Sequence, residues 1–139
     1  MKSKFAGVIL GMTTAVLVAG VALADGHFDS YIINAADGFD SRTWEDPNLD
    51  SVHTTVTFRT CRDEDPASDP NDWAKVTIWK HNWIFPWTNM GTKQLWCWTS
   101  DSDDWGDMSA ADYSFQIYDF SGANQSWNRL DVGSLTVQY

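Results

Sequence analysis

The sequence predicts an all-β fold: a single antiparallel β-sandwich of about seven short strands held by one disulfide. Three observations carry this expectation. Apolar and polar residues alternate with period two in one segment after another, Asp, Asn, Gly and Pro cluster between those segments, and no stretch repeats its apolar residues at helical spacing.

The chain opens on Lys2 and Lys4, an apolar run over residues 5–23 and the small-residue exit Ala22-Leu23-Ala24. These are the marks of a secretory signal peptide, so 1–24 is expected to be a leader and 25–139 a secreted, extracellular domain. The run is long enough to cross a bilayer. Gly7, Gly11, Thr13, Thr14 and Gly20 interrupt it, however, and no positive stop-transfer cluster follows, which argues against an anchor. What remains supplies one core and is too short for two.

Residues 30–34 and 39–44 are the first two strands expected, set off by Asp, Asn and Gly. Residues 52–60 form the clearest one, with Val52, Val56 and Phe58 on one side and His53, Thr55, Thr57 and Arg59 on the other. Residues 74–80 repeat the pattern, setting Ala74, Val76 and Ile78 against Lys75, Thr77 and Trp79. A shorter strand is expected over 94–98, and two more over 113–118 and 135–139. Between them lie an apolar hairpin tip at 82–89 and two acidic loops, 62–72 and 99–107.

Cys61 and Cys97 are the only cysteines, and an even pair in a secreted chain reads as one disulfide. Closing a loop of about 36 residues stabilises the fold by roughly 3–4 kcal/mol in the chain-entropy picture. No CxxC spacing suggests a redox or metal pair instead.

Nine Lys and Arg face nineteen Asp and Glu, for a formal charge of −10 that loses two more positive charges with the leader. Such a domain repels nucleic acid and anionic lipid at long range, so neutral polymers, cations and basic partners are the classes left open. Acidity by itself also serves solubility.

All nine tryptophans follow the leader, more than a core of this size needs. Trp79, Trp83, Trp87, Trp96 and Trp98 fall within twenty residues, around a tip where polar side chains are the norm. Indole faces stack on the apolar faces of sugar rings, so Trp79, Trp96 and Trp98 are the expected platform for a polysaccharide, with Trp96 and Trp98 on one sheet face. The competing role for each indole is to fill the space between sheets. The tip, with Trp83, Ile84, Phe85 and Trp87, suits instead an extracellular protein partner or a membrane interface, the latter disfavoured by the negative charge.

Asp46, Asn48 and Asp50 have the alternate spacing that lets oxygen ligands converge on Ca²⁺. Ser51 and Thr57 occupy the sixth and twelfth positions of that loop, so it is no EF-hand, and a solvated turn is the plainer role. Asp101 to Asp107 has Gly106 in the sixth position but Trp105 in the fifth. No other cofactor is expected. Catalysis is not expected either: no nucleophile elbow, zinc-protease helix or phosphate loop is present, His27, His53 and His81 lack ligand spacing, and carboxylate pairs are too easily found among nineteen acids to mean anything.

Phe39-x-Ser41-Arg42-x-Trp44-x-Asp46-x-Asn48-x-Asp50, a Thr-rich strand ending at Cys61, a late second cysteine, Tyr113-x-Phe115 and a terminal strand ending at Tyr139 resemble a group of small secreted bacterial β-sandwich proteins of unknown function. The resemblance implies secretion, the disulfide and the sandwich. It implies no activity, ligand or functional residue.

Overall fold

The computed structural model describes residues 26–64, 71–121, 123 and 126–139. The expected leader lies outside them, as do positions 65–70 of the first acidic loop. Among the described residues nine strands are formed: β1 (His27–Ala35), β2 (Phe39–Asp40), β3 (Trp44–Asp46), β4 (Thr55–Asp63), β5 (Trp73–His81), β6 (Thr88–Trp96), β7 (Ser100–Asp104), β8 (Ala111–Phe120) and β9 (Leu130–Gln138). They make two antiparallel sheets packed face to face, one ordered β1-β9-β4-β7 and the other β2-β8-β5-β6, with β3 also paired to β8. No helix among the described residues is long and apolar enough to cross a membrane.

The alternation read from the sequence decides which side of each strand faces inward. Val56 and Phe58 of β4, Ala74, Val76 and Ile78 of β5, and Phe115 and Ile117 of β8 are all buried between the sheets. Phe58 and Phe115 meet edge to face across the gap, their centroids 6.3 Å apart. At one end Trp44 stacks on Tyr113 at 6.2 Å and packs on Phe28 and Tyr139. Each such side chain adds about 1.5–3 kcal/mol on burial.

Nine strands form where about seven are expected, for two physical reasons. The segment 39–44 is split because Ser41 turns its hydroxyl into the ladder: Phe115 N–H donates to Ser41 Oγ at 2.9 Å, while Ser41 N–H donates to the Phe115 carbonyl at 2.8 Å. The acidic loop 99–107 contains β7, whose backbone pairs with β4 from Thr55↔Asp104 to Arg59↔Ser100. Its side chains are polar on both faces, so the period-two signal is absent.

Cys61 on β4 and Cys97 just after β6 are bonded, their Cα atoms 4.5 Å apart, and the bridge joins one sheet to the other. One residue before Cys61, Thr60 takes a φ of 53°, rare for a β-branched side chain. Gly133 faces it, and a Cβ at that position would collide with Thr60 Oγ1. Glycine is required there by close approach.

Candidate functional site

The tryptophans are unevenly placed. None lies on β1, β4, β7 or β9, whereas β3, β5 and β6 all carry them. With Ala74, Val76 and Ile78 inward, β5 turns Trp73, Lys75, Thr77 and Trp79 to the outer face of its sheet. Register sets Trp73 opposite Trp96, Lys75 opposite Gln94, Thr77 opposite Thr92 and Trp79 opposite Asn89. On the other flank, Gln116 lies opposite Thr77 and Ser114 opposite Trp79.

A register shift falls between Thr77 and Trp79, where Gly91 adopts a φ of 115° that favours glycine. The Gly91 carbonyl accepts from Trp105 Nε1 at 2.9 Å, which pins the bulge from the side of β7. Cross-strand pairs fix the polar middle of the face. Lys75 Nζ lies 3.2 Å from Asp119 Oδ2 and 4.7 Å over the Trp73 ring, and the hydroxyls of Thr77 and Thr92 are 2.6 Å apart.

At one end of this face the loop 82–87 builds a recess. Asn82 Nδ2 donates to the Pro86 carbonyl and to Thr88 Oγ1, both at 2.9 Å, and so ties the loop's two arms together. The Phe85-Pro86 peptide is cis. Trp87 lies flat on the His81 ring, centroids 4.0 Å apart and planes at 11°, while His81 Nε2 is held 2.8 Å from Ser114 Oγ. Phe85 meets Trp87 edge-on at 6.2 Å. The resulting recess, about 310 Å³, is lined by Asp40, Trp79, Phe85, Pro86, Trp87 and Gln116. Its polar side is a single pair, Gln116 Nε2 donating to Asp40 Oδ1 at 3.0 Å. Apolar ring walls beside a few fixed acceptors and an amide are what a sugar ring asks of a binding site.

The expected ligand residues are therefore divided among a sheet face, a turn and a loop tip, and Trp96 and Trp98 do not share one strand face. Trp79 and Trp87 share the recess. Trp96 lies on the same face at the other end, opposite Trp73, so Trp79 and Trp96 do not adjoin. Trp98 stands in the turn after β6 and is 69% exposed. Trp83 is fully exposed, with Ile84 at 75% and Phe85 at 78% beside it, at the outermost point of the tip. Asp40 and Gln116 were not legible as site residues, because they come from β2 and β8 and meet Trp79 only through strand order.

The acidic constellation forms a bonded turn next to the second acidic loop. Asp46 Oδ1 accepts from Asn48 N–H at 2.8 Å and Asp50 Oδ1 from Val52 N–H at 2.7 Å. With its amide oriented to donate, Asn48 reaches the Asp50 carbonyl at 3.0 Å and Asp107 Oδ1 at 2.9 Å. Asp50 Oδ2 is buried with no hydrogen-bond partner among the described residues. No cluster of three or more His, Cys, Asp or Glu side chains suited to a metal occurs among those residues.

Nearby, His53 Nδ1 lies 2.7 Å from Asp104 Oδ2 at the surface. The hydrogen bond and the charge of Asp104 hold the imidazole above its ordinary pKa. The same bond to His53, with the Gly106 N–H, holds the Asp104 carboxyl below its own. Tyr113, whose hydroxyl donates to the Ser109 carbonyl, is pushed upward mainly by burial.

The chain matches no protein family, no curated protein and no solved structure.

Proposed function

We propose that this chain is a secreted, non-enzymatic binding module that holds a polysaccharide on the outer face of the β2-β8-β5-β6 sheet. The observation that carries this reading is the recess itself, in which Trp79, Phe85 and Trp87 form ring-bearing walls beside the Gln116 to Asp40 pair. A pyranose stacked on Trp79 or Trp87 would direct hydroxyls at that pair. Secretion belongs to the proposal and is supported by the Cys61–Cys97 bridge, since such bonds persist in oxidising surroundings.

The test is tryptophan fluorescence of residues 25–139 against a broad glycan panel, repeated with Trp79→Ala. Binding by the parent and its loss in the variant are expected. No response from any glycan would overturn the reading.

A second reading rests on a separate observation, the consecutive exposure of Trp83, Ile84 and Phe85. It makes the tip a docking point for another extracellular protein or another copy of the chain. Sedimentation that shows a monomer at every concentration would exclude self-assembly, and co-sedimentation with neutral vesicles would instead assign the tip to a membrane interface.

Calcium at Asp46, Asn48 and Asp50 remains part of the proposal. The opposite orientation of the Asn48 amide would turn its oxygen towards the Asp50 carbonyl and Asp107 Oδ1, an arrangement that a cation would stabilise.

A further inference from the structure

Trp96 and Trp73 form a pair at the far end of the face that bears the recess. They are directly opposed on β6 and β5. Trp73 and Trp79 are six residues apart on one strand, which puts the two aromatic ends about 20 Å from each other. Between them the face is polar and its side chains are tied down sideways. Lys75 is held by Asp119, Thr77 by Thr92, and Gln116 by Asp40. Trp96, at 43% exposure, is accessible from solvent.

We infer that Trp96, with Trp73 beneath the same end, is a second sugar subsite, and that the face between it and the recess is a track for an internal stretch of a neutral, extended glycan chain lying along β5. The inference rests on the glycan reading of the recess. Three features of the face select this ligand. Its length exceeds what one or two rings span, so a short sugar fills the recess alone. The aromatic ends offer flat stacking surfaces while the middle offers the Thr92 hydroxyl, the Gln94 and Gln116 amides and the Asp119 carboxylate, Thr77 itself being buried, which matches a chain whose ring faces are apolar and whose edges carry hydroxyl groups.

Its charge excludes acidic chains. Lys75, the cation that β5 turns to this face, is already paired with Asp119, and Asp40 adds a further negative charge. A uronate or sulfated polymer would meet net repulsion in a domain as acidic as this one. Two weak subsites joined by one chain act as a bivalent contact, so affinity rises steeply once the ligand reaches both.

The test uses paired ladders of cellulose, xylan, mannan and chitin fragments, as dimer and hexamer, with an oligogalacturonate hexamer as the charged control, measured by titration calorimetry. In whichever neutral series binds, the hexamer is expected to bind at least roughly tenfold more tightly than the dimer. Trp96→Ala should bring the hexamer down to the dimer's affinity and leave the dimer unchanged, while Trp79→Ala should remove both. Gln94→Ala, a polar change in the middle of the track, should weaken the hexamer alone and keeps the test intact if Trp96→Ala misfolds. Equal affinity for dimer and hexamer, no effect of Trp96→Ala in a folded protein, or tighter binding of the oligogalacturonate would overturn the track while leaving the recess in place. Silence from every ladder and the wider panel would remove the glycan reading and the track together.

Discussion

The outer faces of the two sheets are made from the same kind of strand, but only one of them carries indoles. On the β1-β9-β4-β7 sheet, Thr57 Oγ1 donates to Ser102 Oγ at 2.9 Å and Thr136 Oγ1 to Asp29 Oδ1 at 2.6 Å, so short polar side chains satisfy one another over most of the face, and the exposed apolar side chains Tyr31 and Ile33 are confined to β1. On the β2-β8-β5-β6 sheet, Trp73, Trp79 and Trp96 stand on the outside. Thr and Ser suit the part of a strand surface that meets water, because each hydroxyl both donates and accepts. Large indoles on a solvent face gain nothing of that kind. The contrast sets Trp73, Trp79 and Trp96 together on one sheet face, and it makes that face the one to test.

The largest effect is expected where the two sheets are joined. Replacing Cys61 and Cys97 by serine should cost about 3–4 kcal/mol in urea unfolding, since the bridge closes a loop across the sandwich. If the two sheets then melt separately, as seen by fluorescence against far-ultraviolet circular dichroism, the comparison is between two modules instead of two faces of one.

Binding should respond to one face only. Trp79→Ala is expected to reduce glycan affinity at least roughly tenfold, as loss of a stacking aromatic does at other sites, and Thr57→Ala on the opposite sheet should leave it unchanged. Equal losses in both variants would show that the comparison of faces had misplaced the site.

Titration sharpens the contrast from the other side, because His53 and Asp104 flank the tryptophan-free sheet. In proton NMR, His53 should titrate above the ordinary value of about 6.5, and Asp104→Asn should lower its midpoint. The folded imidazole is raised, so its contribution to stability is full below the ordinary histidine pKa and fades as pH rises through the raised one. The Asp104 carboxyl is lowered, so its contribution is present above the ordinary aspartate pKa and fades as pH falls through the lowered one. A small excess of wild-type over Asp104→Asn melting temperature should therefore appear near pH 5.5 and shrink near pH 8.5.

The smallest effect is expected from calcium. At a concentration equal to the dissociation constant a single site adds about 0.4 kcal/mol. A slight rise in melting temperature between chelator and millimolar calcium, abolished in Asp50→Asn, is the expected result. No difference would leave residues 46–50 as a hydrogen-bonded turn alone.

Much of the fold could be read from the sequence, and the reason is that burial follows parity. Val56, Phe58, Ala74, Val76 and Ile78 alternate with polar residues, and all five are buried. The disulfide followed from there being only two cysteines. What escaped was set by pairing. Nothing in Ser100-Asp101-Ser102-Asp103-Asp104 shows which side faces in, since neither side is apolar, and its strand character comes from β4 alongside. The site was half legible for the same reason. Trp79, Trp87 and Trp96 stand out by their type, whereas Asp40 and Gln116 join Trp79 only because β2 and β5 both flank β8. The spacing between Trp79 and Trp96 depends on Trp73 being the partner of Trp96, a matter of register that alternation alone leaves open.

β7 is the last strand of its sheet, and Asp101, Asp103 and Asp104 line that outermost position. An exposed last strand is where copies of a chain can pair edge to edge and fuse into fibres. Any copy trying to extend the sheet there would bring carboxylate against carboxylate. The strand with no apolar residue to announce it thus works as a fender against edge-to-edge pairing of two copies.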